Sequence, residues 1–478
     1  MKTKLLFVAS TAVVLTGCVL GPEHQVPAID IDDAWHTTER AESTVETSAP
    51  VQTEWWQAIG DPALTGLVEK AAIHNLDVRI AEASIREARA LRRAQAAGYY
   101  PEVNVGAAAR REGLSENAGM LTGAGFGIPV DRDYYEAGFD ASWEPDVFGR
   151  VRRSVEGADA RLAASVENRA DVLMSVMAEV ARSYVELRGA QRRMTITQQN
   201  IELQRKTVSI VRQRHAAGDA SNFELTRAEA QLRVTEATLP NLTADIRASA
   251  HRVAVLTGQE PQTLLDTLLA QEPLPAPPDI VPVGLRSEIL RRRPDVRQAE
   301  RILAAETADI GVATAELFPR FFLTGGAAQQ ALSFGDLFDA SSTAWSLGAL
   351  MQWPVFRGGE IRARIDAEAV QAEAAALRYE KTVLVALEDA ETALARYGQE
   401  LETRQRLAHA VASNERAVRL ARQRYELGED NILAVVDAER ELNLVANDLV
   451  RSETRTVTHL VSLYKALGGG WEVFEYDG

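Results

Sequence analysis

Cysteine occurs once in the 478 residues, at position 18, so the chain can form no internal disulfide and an exported fold must be held by packing. The seven histidines are scattered, with none of the clustering a metal site needs, and we expect no metal and no cofactor. There is no Walker loop and no nucleophile motif, so nothing in the chain points to an enzyme. Positive charge is in deficit: 52 Lys and Arg stand against 68 Asp and Glu, a net −16. Losing Lys2 and Lys4 with a leader would take it to −18. Such an acidic chain is a poor partner for nucleic acid. Beyond the first residues no apolar run approaches the roughly 20 residues of a membrane helix. A membrane could be crossed only by β-strands.

The N-terminus sets the compartment. Lys2 and Lys4 precede the apolar run Leu5 to Leu15, about half the length of a membrane span, which reads as the core of a signal peptide (1–17). Leu15-Thr16-Gly17-Cys18 then has the lipobox arrangement, in which the Cys18 thiol takes a diacylglycerol and the new amino group is acylated. The bland alternative is an ordinary signal peptide containing a chance cysteine. That the single cysteine falls at the cleavage point favours lipidation. Several acyl chains on one residue give firm anchoring.

The chain is built twice. Asp77-Val78-Arg79 and Tyr100-Pro101 return as Asp295-Val296-Arg297 and Phe318-Pro319, at an offset of 218. Arg212-Gln213-Arg214, Gly218, Ala228-Glu229 and Leu232 return as Arg422-Gln423-Arg424, Gly428, Ala438-Glu439 and Leu442, at an offset of 210. Ungapped matches of this kind signal one architecture repeated. After an N-terminal segment (18–61), repeat 1 covers 62–272: a helix from Pro62 to Ala97, a β-hairpin (102–145), a long helix (150–217) and a return helix (219–257). A linker with five prolines (273–282) leads to repeat 2 (283–469), with a helix from Pro294 to Leu317, a hairpin (320–356), a long helix (360–427), a return helix (429–467) and then a tail (470–478). Gly218 and Gly428 mark the reversals, because glycine accepts the left-handed conformation that ends a helix. The long helices would each reach roughly 100 Å. Leu442, Val445 and Leu449, then Leu460, Leu463 and Leu467, give coiled-coil spacing. Pro240 should bend or break the first return helix, and its counterpart Val450 should not.

Between the helices the pattern changes to period 2. Tyr135, Ala137, Phe139, Ala141 and Trp143 alternate with Glu136, Gly138, Asp140, Ser142 and Glu144. Trp345, Leu347, Ala349, Met351 and Trp353 alternate with Ser346, Gly348 and Gln352, and Val103, Val105, Ala107 and Ala109 with Glu102, Asn104 and Arg110. A half-buried soluble sheet also alternates. Runs of about ten residues with aromatics near their ends, in a chain with a lipid anchor, favour transmembrane barrel strands. The expected fold is thus a mixed α and β membrane protein with four transmembrane strands and long helices in two tandem repeats. Four strands cannot close a barrel, so the chain must oligomerise.

The order and spacing of further motifs is similar to one family. These are Gly17-Cys18-Val19-Leu20-Gly21-Pro22 with Pro27 and Trp35, Trp55-Trp56, Asp61-Pro62-Ala63-Leu64 with Leu67, and Trp143-Glu144-Pro145-Asp146-Val147-Phe148-Gly149-Arg150. Pro354-Val355-Phe356 with Gly358-Gly359, and Arg422-Gln423-Arg424-Tyr425 through Asp437-Ala438, complete the set. The chain resembles the TolC-like outer-membrane factors, in their OprM- and NodT-like lipoprotein branch. The resemblance implies a homotrimer with a 12-stranded barrel and a 12-helix periplasmic tunnel, the exit duct of a tripartite efflux pump. It also implies a periplasmic adaptor and an inner-membrane transporter of the RND type as partners. Val19 after the lipidated cysteine is similar to lipoproteins sorted to the outer membrane.

By the same match, Asn431, Leu433, Asp437 and Arg440 are the constriction and lock residues of a periplasmic gate. Ala217, Gly218, Asp219, Gly428 and Glu429 form adaptor-docking tips. Asp437 and Arg440, three apart on one helix, could also be a plain surface pair, and the glycines could be mere caps. Ala434 stands where some members carry a second aspartate, which argues against a strong cation-binding aperture. The rival reading is a periplasmic coiled-coil lipoprotein without a channel.

Overall fold

The computed structural model describes residues 19–29, 31–35, 44–113, 131–474 and 476. In chain order the longer elements are α1 (Pro62–His74), α2 (Leu76–Ala96), β1 (Glu102–Gly113), β2 (Asp131–Trp143), α3 (Arg150–Ala217), α4 (Asn222–Glu236), α5 (Leu239–Leu256), α6 (Pro294–Ala315), β3 (Arg320–Ala331), β4 (Thr343–Gln352), α7 (Glu360–Glu426) and α8 (Ile432–Ala466). Among the described residues no helix is long and apolar enough to cross a membrane. Cys18 lies outside them.

The chain divides into two compact units. One comprises Met1–Pro27, Arg86–Ala164 and Glu300–Arg378; the other comprises Ala28–Ile85, Ser165–Ala299 and Tyr379–Gly478. The first unit holds a four-stranded antiparallel sheet in the order β1-β2-β3-β4. The second holds the main apolar core. There Trp55 stacks on Tyr464 and Trp56 on Phe474, with ring centroids 5.7 and 5.8 Å apart. Leu173, Met177, Leu460 and Leu463 are fully buried beside them, each contributing roughly 1.5–3 kcal/mol by leaving water. Asp61 caps α1 by accepting from the amides of Ala63 and Leu64, ahead of a proline at the first helical position, where no N–H is missed. Its other oxygen accepts from the Tyr184 hydroxyl at 2.8 Å, and burial pushes that phenol up to about 12.

Several boundaries differ from those read in the sequence. The first helix of repeat 1 is two helices, because Asn75 interrupts it in an extended conformation and is itself buried. The Asn75 amide donates to the Leu256 carbonyl at 2.8 Å, and its side-chain oxygen accepts from the backbone of Asp77 and Val78, starting α2. In repeat 2 the equivalent place is held by Arg293, which donates to the Ala466 carbonyl and pairs with Asp295. The return helix of repeat 1 is likewise split into α4 and α5, with Pro240 in the first turn of α5, whereas α8 continues through the buried Val450. That second return helix begins at Ile432 rather than 429, since residues 428–430 form the turn and Asn431 caps the helix. The strands stop at Trp143 and Gln352, short of the hairpin limits 145 and 356. The expected linker is not a bare spacer: its Val281–Pro282 pairs in parallel with Val45–Glu46 of the N-terminal segment.

Candidate functional site

In the first unit, the strand register decides what the sheet can do. Val105 lies opposite Phe139, Phe139 opposite Ala327, and Ala327 opposite Trp345. One row along, Val103, Ala141, Gly325 and Leu347 align in the same way. Side chains alternate between faces, so this register brings the apolar series of all four strands onto one face. The opposite face carries Asn104, Asp140 and Ser346, with Glu136 hydrogen-bonded to Gln330. Apolar and wet faces of this kind are what a lipid-facing wall with a polar lumen requires.

The feet of the two hairpins are built alike. The indole N–H of Trp143 donates to the Tyr99 carbonyl and that of Trp353 to the Leu317 carbonyl, both at 3.0 Å. These positions correspond in the two repeats. Glu144 accepts from Arg150 and Arg320. Burial alone would raise this carboxyl, but the two guanidinium groups together hold it below the usual carboxylate range. Asp146 caps α3 through the amides of Val151 and Arg152. The Glu144–Arg150 stretch quoted from the sequence is therefore a strand-to-helix joint.

The second unit contains both helix reversals. Gly218 and Gly428 are left-handed, with φ of +85° and +76°. In each, the next amide (Asp219 or Glu429) reaches back to the carbonyl of Arg214 or Arg424, the pattern of a glycine-ended helix. Ser221 and Glu224 form a capping box on α4, and Asn431 caps α8. Beneath the turns Val208, Val211, Ala228, Tyr425, Ile432, Val435 and Val436 make a small separate core. Arg214 stacks on the Tyr425 ring at 4.2 Å and donates to the Tyr425 carbonyl, tying one reversal to the other.

The residues singled out from the sequence fall around this tip. Ala217, Gly218, Asp219, Gly428 and Glu429 are exposed on the two turns. Asn431 spends its side chain on the cap, and Leu433 is half-buried. Asp437 and Arg440 are exposed and lie 3.6 Å apart, a geometry worth little in water.

The sequence reading passed over a stronger interaction two residues from Asp437. The Glu439 side chain is only 3% exposed and accepts from Arg422 and from the Thr207 hydroxyl, each at 2.7 Å. It thus pins α8 to both α7 and α3. The repeat counterpart, Arg212 with Glu229, is also 2.7 Å apart but exposed. The signal was present in the paired Arg-Gln-Arg and Ala-Glu motifs, which are ion-pair partners. Away from the tip, Glu306, Asp309 and Glu368 of the first unit come close enough to share a cation, a grouping not read from the sequence. Arg161 already pairs with Glu306 and Asp309. Burial, then Asp309 and Glu306, push the Glu368 carboxyl up.

A sheet with one apolar face and two helical hairpins closing on a small tip core define a class of outer-membrane channel subunit, and comparison with known proteins agrees. The model of the outer membrane efflux protein family matches residues 67–259 and 285–469. The probable efflux pump outer membrane protein TtgC of Pseudomonas putida is 30% identical over 475 residues, covering 98% of this chain and 96% of that one. Nodulation protein T of Rhizobium leguminosarum bv. trifolii is 30% identical, covering 96% of each. Among solved structures, the outer-membrane channel OprN superposes with a TM-score of 0.87 at 35% identity, covering 95% of this chain and all of the other. The open state of the Neisseria gonorrhoeae MtrE channel gives 0.79 at 27% identity, covering 95% and 99%. The chain belongs to the outer membrane efflux protein family. Its role is that of an efflux channel in the outer membrane, an exit duct.

Proposed function

We propose that three copies of this chain close one twelve-stranded barrel, forming the passive outer-membrane segment of a tripartite pump. The observation that carries this is the in-phase apolar face of a four-stranded sheet whose outer strands, β1 and β4, each leave an edge. Lipid cannot satisfy such an edge, whereas copies of the same sheet can. The energy for transport then comes from an inner-membrane transporter, of the RND type by the resemblance, through a periplasmic adaptor that docks on the turns at Ala217-Gly218-Asp219 and Gly428-Glu429. The efflux-pump names of the relatives support that assembly. The chain performs no catalysis and needs no cofactor beyond the lipid on Cys18. Threefold symmetry makes Asn431, Leu433, Asp437 and Arg440 into rings at the periplasmic mouth, where close carboxylates repel unless arginine compensates them.

The test is native mass of the membrane-extracted protein together with single-channel conductance in planar bilayers. A trimer is expected, and monomers, or a bilayer that stays silent with the wild-type chain and with both gate variants, would overturn this reading. Asp437→Ala and Arg440→Ala should raise conductance if the ring is a lock. Unchanged conductance in both, and in the double variant, would make them a plain surface pair.

A further inference from the structure

In the first unit, residues 19–24 run along a surface that side chains and missing side chains have shaped for them, with Leu20 and His24 half-buried and the others exposed. Arg153, in the first turn of α3, has a side chain only 4% exposed. It spends its guanidinium on that segment, donating to the Leu20 carbonyl at 2.9 Å and the Gly21 carbonyl at 3.3 Å. Glu156 holds the same guanidinium from the other side at 2.8 Å. Three glycines make the room. Gly21 is left-handed (φ +89°), and a Cβ there would meet the Gly311 backbone at 2.5 Å. A Cβ on Gly311 would in turn press on the Arg153 side chain at 2.7 Å. A Cβ on Gly149 would come within 3.0 Å of the Val19 Cα. Downstream, the His24 imidazole meets the Glu300 carboxylate at 3.1 Å.

We propose that this seat fixes the N-terminal anchor point at the strand-to-helix joints, so that the lipid is held against the channel wall rather than on a leash. Gly149 and Arg153 follow β2, and Gly311 lies in the last turns of α6 before β3, so the seat sits where strands give way to helices. Residue 18 is two peptide units from Leu20, which the Arg153 bond holds, and can stray only about 7 Å from it. A segment free up to its pairing at Val45 could wander several times farther. What residue 18 carries rests on the acylation reading; the seat itself does not. Arg153, Gly311 and Gly149 act as positioning residues for the anchor.

The experiment places a reporter thiol at Leu20→Cys in the Cys18→Ser chain, where it is the only cysteine, and follows maleimide labelling of the folded, detergent-extracted protein. Labelling should be at least tenfold slower than in the urea-unfolded chain. It should speed up by a similar factor in Arg153→Ala and in Gly311→Val. Fast labelling with Arg153 and Gly311 intact would overturn the seat, as would slow labelling that both variants leave unchanged. Should Gly311→Val fail to fold, Arg153→Ala and the comparison with the unfolded chain still decide. Mass spectrometry of the membrane-extracted chain carrying Cys18 separates the two ideas. An unacylated N-terminus would end the lipid reading, while the labelling rates judge the seat alone.

Discussion

Replacing Glu439 by alanine should loosen the hairpin tip, and the duplicated sequence supplies its own control. The carboxylate is 3% exposed and receives two hydrogen bonds of 2.7 Å, from Arg422 and Thr207. Its removal leaves the Thr207 hydroxyl with only the longer bond to the Leu203 carbonyl, at 3.3 Å, and frees a guanidinium that is itself 30% exposed. Losing one partner of a fully buried pair costs about 3–5 kcal/mol. Arg422 reaches solvent and can rehydrate, so the loss should be nearer 2 kcal/mol, that of a charged hydrogen bond. Glu229, the repeat counterpart, is 43% exposed and faces an Arg212 that is 63% exposed. Glu229→Ala should therefore cost no more than about 0.5 kcal/mol. Global unfolding of a membrane protein is commonly irreversible, so the readout is amide hydrogen exchange across 432–439 in the assembled channel. A loss of about 2 kcal/mol speeds exchange roughly thirtyfold, against about twofold for the control. A double-mutant cycle of Glu439 with Arg422 isolates the pair. Equal, small effects at the two sites would show that burial does not distinguish them, and the reasoning would fail.

On the sheet, Phe139→Lys on the apolar face should cost about 2–4 kcal/mol if it sits near mid-bilayer, while Asp140→Asn on the opposite face should cost little. Urea-induced unfolding in lipid vesicles measures both, and equal costs would deny the two faces their roles. In the second unit, burial and then the neighbouring Asp295 raise the Asp171 carboxyl above its ordinary value, against the opposing pull of Lys465 and Arg293. Stability from this group is present below its unfolded value and is lost as pH rises through the raised folded value. Asp171→Asn should therefore stabilise the protein at neutral pH and flatten that decline. Thermal unfolding rates measured from pH 4 to 8 check this, and an unchanged slope would refute it.

Much of the architecture was legible because it is local. The lengths of α3 and α7, the glycine turns at 218 and 428 and the break at Pro240 each depend on residues within a turn or two. The break at Asn75 was not legible. Nothing in His74-Asn75-Leu76 stops a helix as firmly as proline does, and what holds Asn75 is the carbonyl of Leu256, 181 residues away. For the same reason the tip residues found by resemblance and those found by geometry differ. Asp437 and Arg440 advertise themselves as a pair on one helix, while Glu439 is tied to Arg422 and Thr207 on other elements.

The sequence by itself determined that the chain is built twice, that each half carries two membrane strands, and that each half reverses at a glycine. Period 2, period 3.6 and the steric freedom of glycine are properties of neighbouring residues. Only the tertiary structure decided which of two equivalent Arg–Glu pairs is buried, since Glu439 receives Thr207 from the long helix of the other repeat as well as Arg422 from its own, whereas the bond to Glu229 comes from Arg212 of its own repeat. Register was also its decision. Each strand alternates on its own, but pairing Val105, Phe139, Ala327 and Trp345 in one row is what gives the sheet a single apolar face, and a slip of one residue would have turned a strand over.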